Sequence, residues 1–259
     1  MTAILSVRGL EKTFGSIVAA RDITLDVPAE QTVGIIGANG AGKTTFINMI
    51  TGHLRPTSGT IRFADCDITG LPSREITRLG VSRSFQAAQI FPSLTVFENM
   101  CAAAAIAATH GRAASLFAPL DRPATHAGAA AVMALFGIER HRNVRAAMLP
   151  QGIRKLLDIA IAVVGTPRVL LLDEPTSGIS IAEKFAVMET VMSALKNRQL
   201  TVLFVEHDME IVARFADRVL AFYDGTVIAD GAPAQALADP RVQMLISGIG
   251  GGRRHAQGN

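Results

Sequence analysis

Tryptophan is absent from these 259 residues, tyrosine occurs once, and cysteine twice. Cys66 and Cys101 lie far apart, with no C-x-x-C or Cys/His spacing around either, so neither a disulfide framework nor a zinc site is indicated. Both read as ordinary reduced thiols. No long apolar run is present either: the longest alanine-rich stretch, Cys101 to Ala108, is far short of the ~18 residues of a membrane span. Met1 to Gly9 has no basic region followed by an apolar core, so no secretory signal is read and a soluble, cytoplasmic protein is expected. The net charge is +3, but the arginines are scattered and no basic run is interleaved with aromatics, which argues against a nucleic-acid partner.

What the chain does have is a stretch suited to holding phosphates. Gly37-Ala38-Asn39-Gly40-Ala41-Gly42-Lys43-Thr44-Thr45 fits the pattern G-x-x-x-x-G-K-[ST]. Glycines let successive N–H groups point inward, Lys43 supplies a cation, and the helix that follows presents its positive end to the same anion. Thr44 is placed to bind magnesium. The context agrees, since Gln31 to Ile36 reads as a buried strand and Thr45 to Ile50 as a helix ending at Gly52.

The rest of the chain is read from its periodicity. Alternation at Ile4 to Val7 and at Ile23, Leu25 and Val27 predicts half-buried antiparallel strands, with another at Thr60 to Phe63. From about Thr95 alanine-rich helical stretches take over, interrupted by Gly111, Pro119 and Pro123 and resuming through Ala129 to Phe136. An apolar helix follows Gly152. Val169 to Leu172 and Thr201 to Val205 read as buried strands, Ile181 to Leu195 and Met209 to Phe215 as helices, and such alternation implies parallel pairing. The expected organisation is one domain over 1–247, with a core of 1–87 and 154–247, a helical insertion at 88–153, and a flexible tail at 248–259.

Phosphoryl transfer also needs a metal and a group that positions or deprotonates water. The strand ending Leu172-Asp173-Glu174-Pro175 delivers two carboxylates to its C-terminal end, where ligands bind in open α/β sheets. Asp173 suits the magnesium shell and Glu174 the general base. His207 follows the second buried strand. Taken alone, it is more often a structural histidine than a catalytic one, and Gln86 reads equally well as a surface amide.

These pieces in this order resemble the ATP-binding cassette family, the ATPase subunits of ABC transporters, over nearly the whole chain. The resemblance implies an α/β P-loop NTPase cassette: a mostly parallel core sheet, an N-terminal antiparallel β subdomain and an inserted helical subdomain. It implies ATP and magnesium as ligands, with Gly37 to Thr45 as the Walker A loop and Asp173 and Glu174 closing Walker B. Gln86 is then the Q-loop glutamine, a further magnesium contact, His207 the switch histidine, and Phe14 the aromatic that stacks on adenine. The family's signature, normally close to Leu-Ser-Gly-Gly-Gln, is represented by Leu149-Pro150-Gln151-Gly152-Ile153. It departs from that pattern at Pro150, which has neither a serine hydroxyl nor a backbone N–H, and at Ile153. Ser177-Gly178-Ile179-Ser180 ends in serine where many relatives carry aspartate.

Arg83-Ser84-Phe85-Gln86, the Leu-Pro-x-Gly signature and Val205-Glu206-His207-Asp208-Met209 are similar to the branched-chain amino-acid importer ATPases, whose close relatives import urea, amides or aromatic acids, so the resemblance leaves the solute open among these. That branch implies a second ATPase subunit, with a heterodimer preferred over a homodimer, together with transmembrane permeases and, indirectly, a periplasmic solute-binding protein. The place of action implied is the cytoplasmic face of the inner membrane. The segment Ala87 to Val96 would carry motion to a permease helix, with Ile90, Phe91 and Leu94 either a docking surface or core. The alternatives to an active importer ATPase are a regulatory or weakly active cassette in a heterodimer and a soluble ABC ATPase outside transport.

Overall fold

The computed structural model describes residues 3–84, 90–108, 123–196 and 198–246. In chain order the strands are β1 (Ala3–Phe14), β2 (Ile17–Pro28), β3 (Thr32–Gly37), β4 (Ser58–Phe63), β5 (Cys66–Asp67), β6 (Val81–Ser84), β7 (Val169–Asp173), β8 (Thr201–Val205), β9 (Arg218–Tyr223) and β10 (Thr226–Gly231). The helices are α1 (Lys43–Ile50), α2 (Ser73–Leu79), α3 (Val96–Ala108), α4 (Pro123–Leu135), α5 (Gln151–Val163), α6 (Ile181–Leu195), α7 (Met209–Phe215), α8 (Pro233–Ala238) and α9 (Pro240–Leu245). The described residues fall into two compact units, drawn from 1–73 with 201–259 and from 74–200. None of the described helices is long and apolar enough to cross a membrane.

In the first unit an antiparallel sheet runs β2-β1-β4-β5. The alternation in its sequence becomes an inward row at Val7, Ile23, Leu25 and Val27, while at the start of β1 both Ile4 and Leu5 are buried, one on each face. Beside it β3 pairs in parallel with β8 on one side and β9 on the other, and β10 closes the edge antiparallel to β9. Strands β3 and β8 are continuous apolar runs because both faces are covered. One cover is α1, whose Phe46 ring lies 5.2 Å from that of Phe222 on β9. Another is α7, and the contact depends on Gly34. A Cβ at that position would come within 2.8 Å of Val212 Cγ1 and 3.1 Å of the Ala216 methyl.

The second unit holds the parallel pair β6 and β7, with α5 against both, and α3, α4 and α6 around α5. Pro123, expected to interrupt the alanine-rich stretch, instead opens α4, where a missing N–H costs nothing. Of this unit's elements α3, α4 and the start of α5 fall within 88–153, while β6, β7, α6 and the rest of α5 lie outside it. Residues 247–259, which include the whole of the expected tail, are outside the described residues.

Candidate active site

In the first unit β3 runs straight into the glycine loop. Gly37 and Gly42 sit at φ +155° and +100°, and a Cβ on either would meet backbone oxygen, that of Phe222 at 2.5 Å or of Ala19 at 2.6 Å. Only glycine lets the chain pass so close to β9 and β2. Gly42 caps α1 in the left-handed conformation, which leaves the N–H groups of the helix's first turn without intrahelical acceptors. Lys43 is buried, and its ammonium donates to the carbonyls of Gly37 at 2.6 Å and Ala38 at 3.0 Å, bracing the loop from within. Ala38, Asn39, Gly40 and Thr44 are exposed, Thr45 is half-buried, and the Ala41 N–H donates to the Ala38 carbonyl, completing the turn. The result is a glycine-built turn directly ahead of a helix N-terminus, the kind of setting that binds polyphosphate.

His207 stands in the same unit, two residues past the end of β8. The Glu206 N–H donates to the Ile35 carbonyl of β3, so the histidine and the phosphate loop follow the C-terminal ends of adjacent parallel strands. His207 is exposed, and its backbone N–H donates to the buried Glu206 carboxylate at 3.3 Å. Asp208 caps α7 by accepting from Glu210 and Ile211. Phe14 ends β1 with half its surface exposed and the Lys12 ammonium 5.1 Å from its ring centre. An exposed aromatic face with a cation at hand suits a nucleobase better than a core.

The second unit carries the carboxylates. Asp173 ends β7, buried, and its Oδ2 accepts from Arg83 Nη2 of β6 at 2.5 Å. Glu174 follows at φ +49°, a left-handed conformation that non-glycine residues seldom adopt. Its carbonyl accepts from the Ser177 N–H at 3.0 Å and from the buried Lys155 ammonium of α5 at 3.1 Å. Gln86 is outside the described residues. Asp173 and Thr44 offer hard oxygen donors of the kind magnesium takes. No group of three or more His, Cys, Asp or Glu side chains forms a metal cage among the described residues. Magnesium is commonly held by one or two protein oxygens together with substrate phosphates, and Asp173 and Thr44, each in its own unit, are oxygens of that kind.

The signature region starts α5. Leu149 is buried and Pro150 is the N-cap, with φ −54°, and its carbonyl accepts from the Arg154 N–H. Gln151, Gly152 and Ile153 form the first turn, so their N–H groups remain available at the helix's positive end. Ile153, the apolar departure, lines a cavity of about 300 Å³ with Phe136, Leu156 and Val187. Arg140, Glu183 and Thr190 line the same cavity, so Ile153 meets apolar and polar neighbours alike. The Gln151 amide lies against Gly178, a Cβ at which would be 3.3 Å from Nε2. Ser180 caps α6, and its hydroxyl donates to Glu183 at 2.9 Å. Aspartate at that position would place two carboxylates together.

Arg83 and Lys155 contact the two carboxylate residues although no motif assigns either a role. Arg83 belongs to Arg83-Ser84-Phe85-Gln86 and Lys155 lies two residues past Ile153, where it shares the buried side of α5 with Asp158.

A profile described as ABC transporter matches residues 20–177. The high-affinity branched-chain amino acid transport ATP-binding protein LivG of Escherichia coli (strain K12) is 36% identical over 249 residues, covering 92% of this chain and 95% of LivG. BraF of Pseudomonas aeruginosa, whose description is the same, is 35% identical over 243 residues, with 92% and 95% covered. Among solved structures, the ADP conformation of MJ1267, an ATP-binding cassette of an ABC transporter, superposes with a TM-score of 0.85 at 28% identity, covering 96% of this chain and all of that one.

Proposed function

Because the chain belongs to the ABC transporter family as an ATP-hydrolysing subunit, we propose that it powers the import of branched-chain amino acids. The likeness to LivG and BraF along nearly the full length supports that solute. The phosphate loop braced by Lys43 at the start of α1 is the observation that carries nucleotide binding.

In this reading Gly37 to Thr45 hold the phosphates of ATP, Phe14 stacks on the adenine, and Thr44, Gln86 and Asp173 are the magnesium contacts. Magnesium, when bound, supplies charge neutralisation to the phosphates. Glu174, held at φ +49° just past the end of β7, accepts a proton from the attacking water. His207 orients toward the terminal phosphate. The N–H groups of Gln151, Gly152 and Ile153 face nucleotide held by a second cassette, and Pro150 contributes nothing to that contact beyond helix capping. A heterodimer suits such a signature best, since a partner can supply the stronger one. The assembly includes permeases and a periplasmic binding protein and works at the cytoplasmic face of the inner membrane.

Glu174→Gln tests the chemistry. Hydrolysis measured by phosphate release is expected to fall at least ~100-fold, with binding of a fluorescent ATP analogue retained. Unchanged hydrolysis would reject Glu174 as the base. In the reconstituted complex, ATPase stimulation by leucine, isoleucine or valine with the binding protein is the expected solute response, and stimulation by urea or amides alone would overturn the solute assignment.

A further inference from the structure

Asp173 carries a partner that the chemistry above does not call for. Arg83 stands on β6, where its backbone partner on β7 is Leu171, and its side chain reaches past that position to Asp173. The two side chains are 8% and 4% exposed. Away from water their attraction is poorly screened, and neither charge is easily given up. A guanidinium also stays protonated at any working pH, so proton loss cannot end its hold on the carboxylate.

We propose that Arg83 competes with magnesium for Asp173, acting as a built-in counter-cation that sets how much divalent metal this ATPase needs. The proposal rests on the reading of Asp173 as a magnesium contact. Magnesium binds through the negative charge of oxygen donors, and Arg83 already neutralises that charge and engages Oδ2. Metal therefore gains less from Asp173 than it would from a carboxylate facing only water or amides. Loss of the guanidinium should tighten metal binding. A purely structural role predicts the opposite, because an Asp173 released from its orientation would be a poorer ligand.

The experiment uses manganese as the probe, with the full-length chain saturated with ADP so that no turnover occurs, and reads free Mn2+ by its electron paramagnetic resonance signal. Relative to the unsubstituted protein, Arg83→Met is expected to lower the half-saturating Mn2+ about tenfold, with ADP affinity in EDTA unchanged. Arg83→Lys, which keeps the charge, is expected to stay within about twofold. If Arg83→Met does not fold by circular dichroism, Arg83→Gln carries the same comparison, since its amide can still donate to Asp173 while the charge is gone. An unchanged or raised Mn2+ requirement in the neutral variant overturns the proposal. Asp173→Asn separates the possible failures. If Mn2+ affinity ignores that change, the Asp173 assignment falls and the competition with it. If the affinity depends on Asp173 but not on Arg83, the competition alone falls. A chain that takes up no ADP with or without Mn2+ overturns the ATPase reading itself.

Discussion

Lys155 is the side chain whose removal best separates holding nucleotide from hydrolysing it. It is buried on α5, and its ammonium donates to the carbonyl of Glu174, the residue whose left-handed backbone sets the direction of the proposed base. Lys155→Met preserves most of the volume and removes that hydrogen bond. A bond from a charged donor contributes about 1.5–3 kcal/mol, so hydrolysis is expected to fall about tenfold or more. Fluorescent-analogue affinity should hold, because Lys155 belongs to neither the phosphate loop nor its helix. Equal losses in both would show that the residue serves the fold alone. The phosphate loop, Asp173, Glu174 and His207 could be picked out of the sequence because each follows a recognisable strand. Arg83 and Lys155 could not, since their partners lie 90 and 19 residues away and only strand pairing and helix packing bring them near. Ser180 shows the same limit: its departure from aspartate makes sense only beside Glu183.

At the scale of elements, the start of α3 is fixed by a reciprocal cap. The Thr95 hydroxyl accepts from the Glu98 N–H at 3.2 Å, while the Glu98 carboxylate accepts from the Thr95 N–H at 2.7 Å and from its hydroxyl at 2.9 Å. Asn99 then ties the preceding turn, accepting from the Phe91 N–H and donating to the carbonyls of Phe91, Leu94 and Thr95. Thr95→Ala is expected to cost about 1 kcal/mol in urea denaturation. These hydrogen bonds, the one from the Thr95 backbone first, hold the Glu98 carboxyl below its ordinary value of 4.5. Its contribution is therefore present above that pH and lost as pH falls through the lowered value, so the difference between Thr95→Ala and the parent should shrink in acid. A constant difference down to acid unfolding would remove the cap from the account. The bounds of α6, β8 and α7 match the sequence periodicity because each is a clean apolar pattern between polar turns. The β9–β10 hairpin turns at Asp224-Gly225, both at positive φ, a tight two-residue turn that the helical and strand periodicities do not show. Helices α8 and α9 are only six residues each, too short for periodicity to show.

For the whole molecule, the importer reading requires a surface that meets a permease. Phe91 is 54% exposed, and Ile90 and Leu94 are half-buried, so the segment is neither a sealed core nor a fully open face. Phe91→Asp is expected to reduce co-purification with the permease at least ~10-fold while hydrolysis by the isolated chain persists, because an apolar contact is exchanged for a buried charge. Undiminished co-purification would place the contact elsewhere. Within the first unit, Gly34 has a different reach. It touches no phosphate, yet its bare backbone lets α7 lie flush on β3, the strand that feeds the glycine loop, while the short connection between β8 and α7 bears His207. A single methyl group there would act as a wedge, prying apart the shared footing of histidine and loop. Activity could then be lost in a chain that still possesses every residue expected to touch ATP.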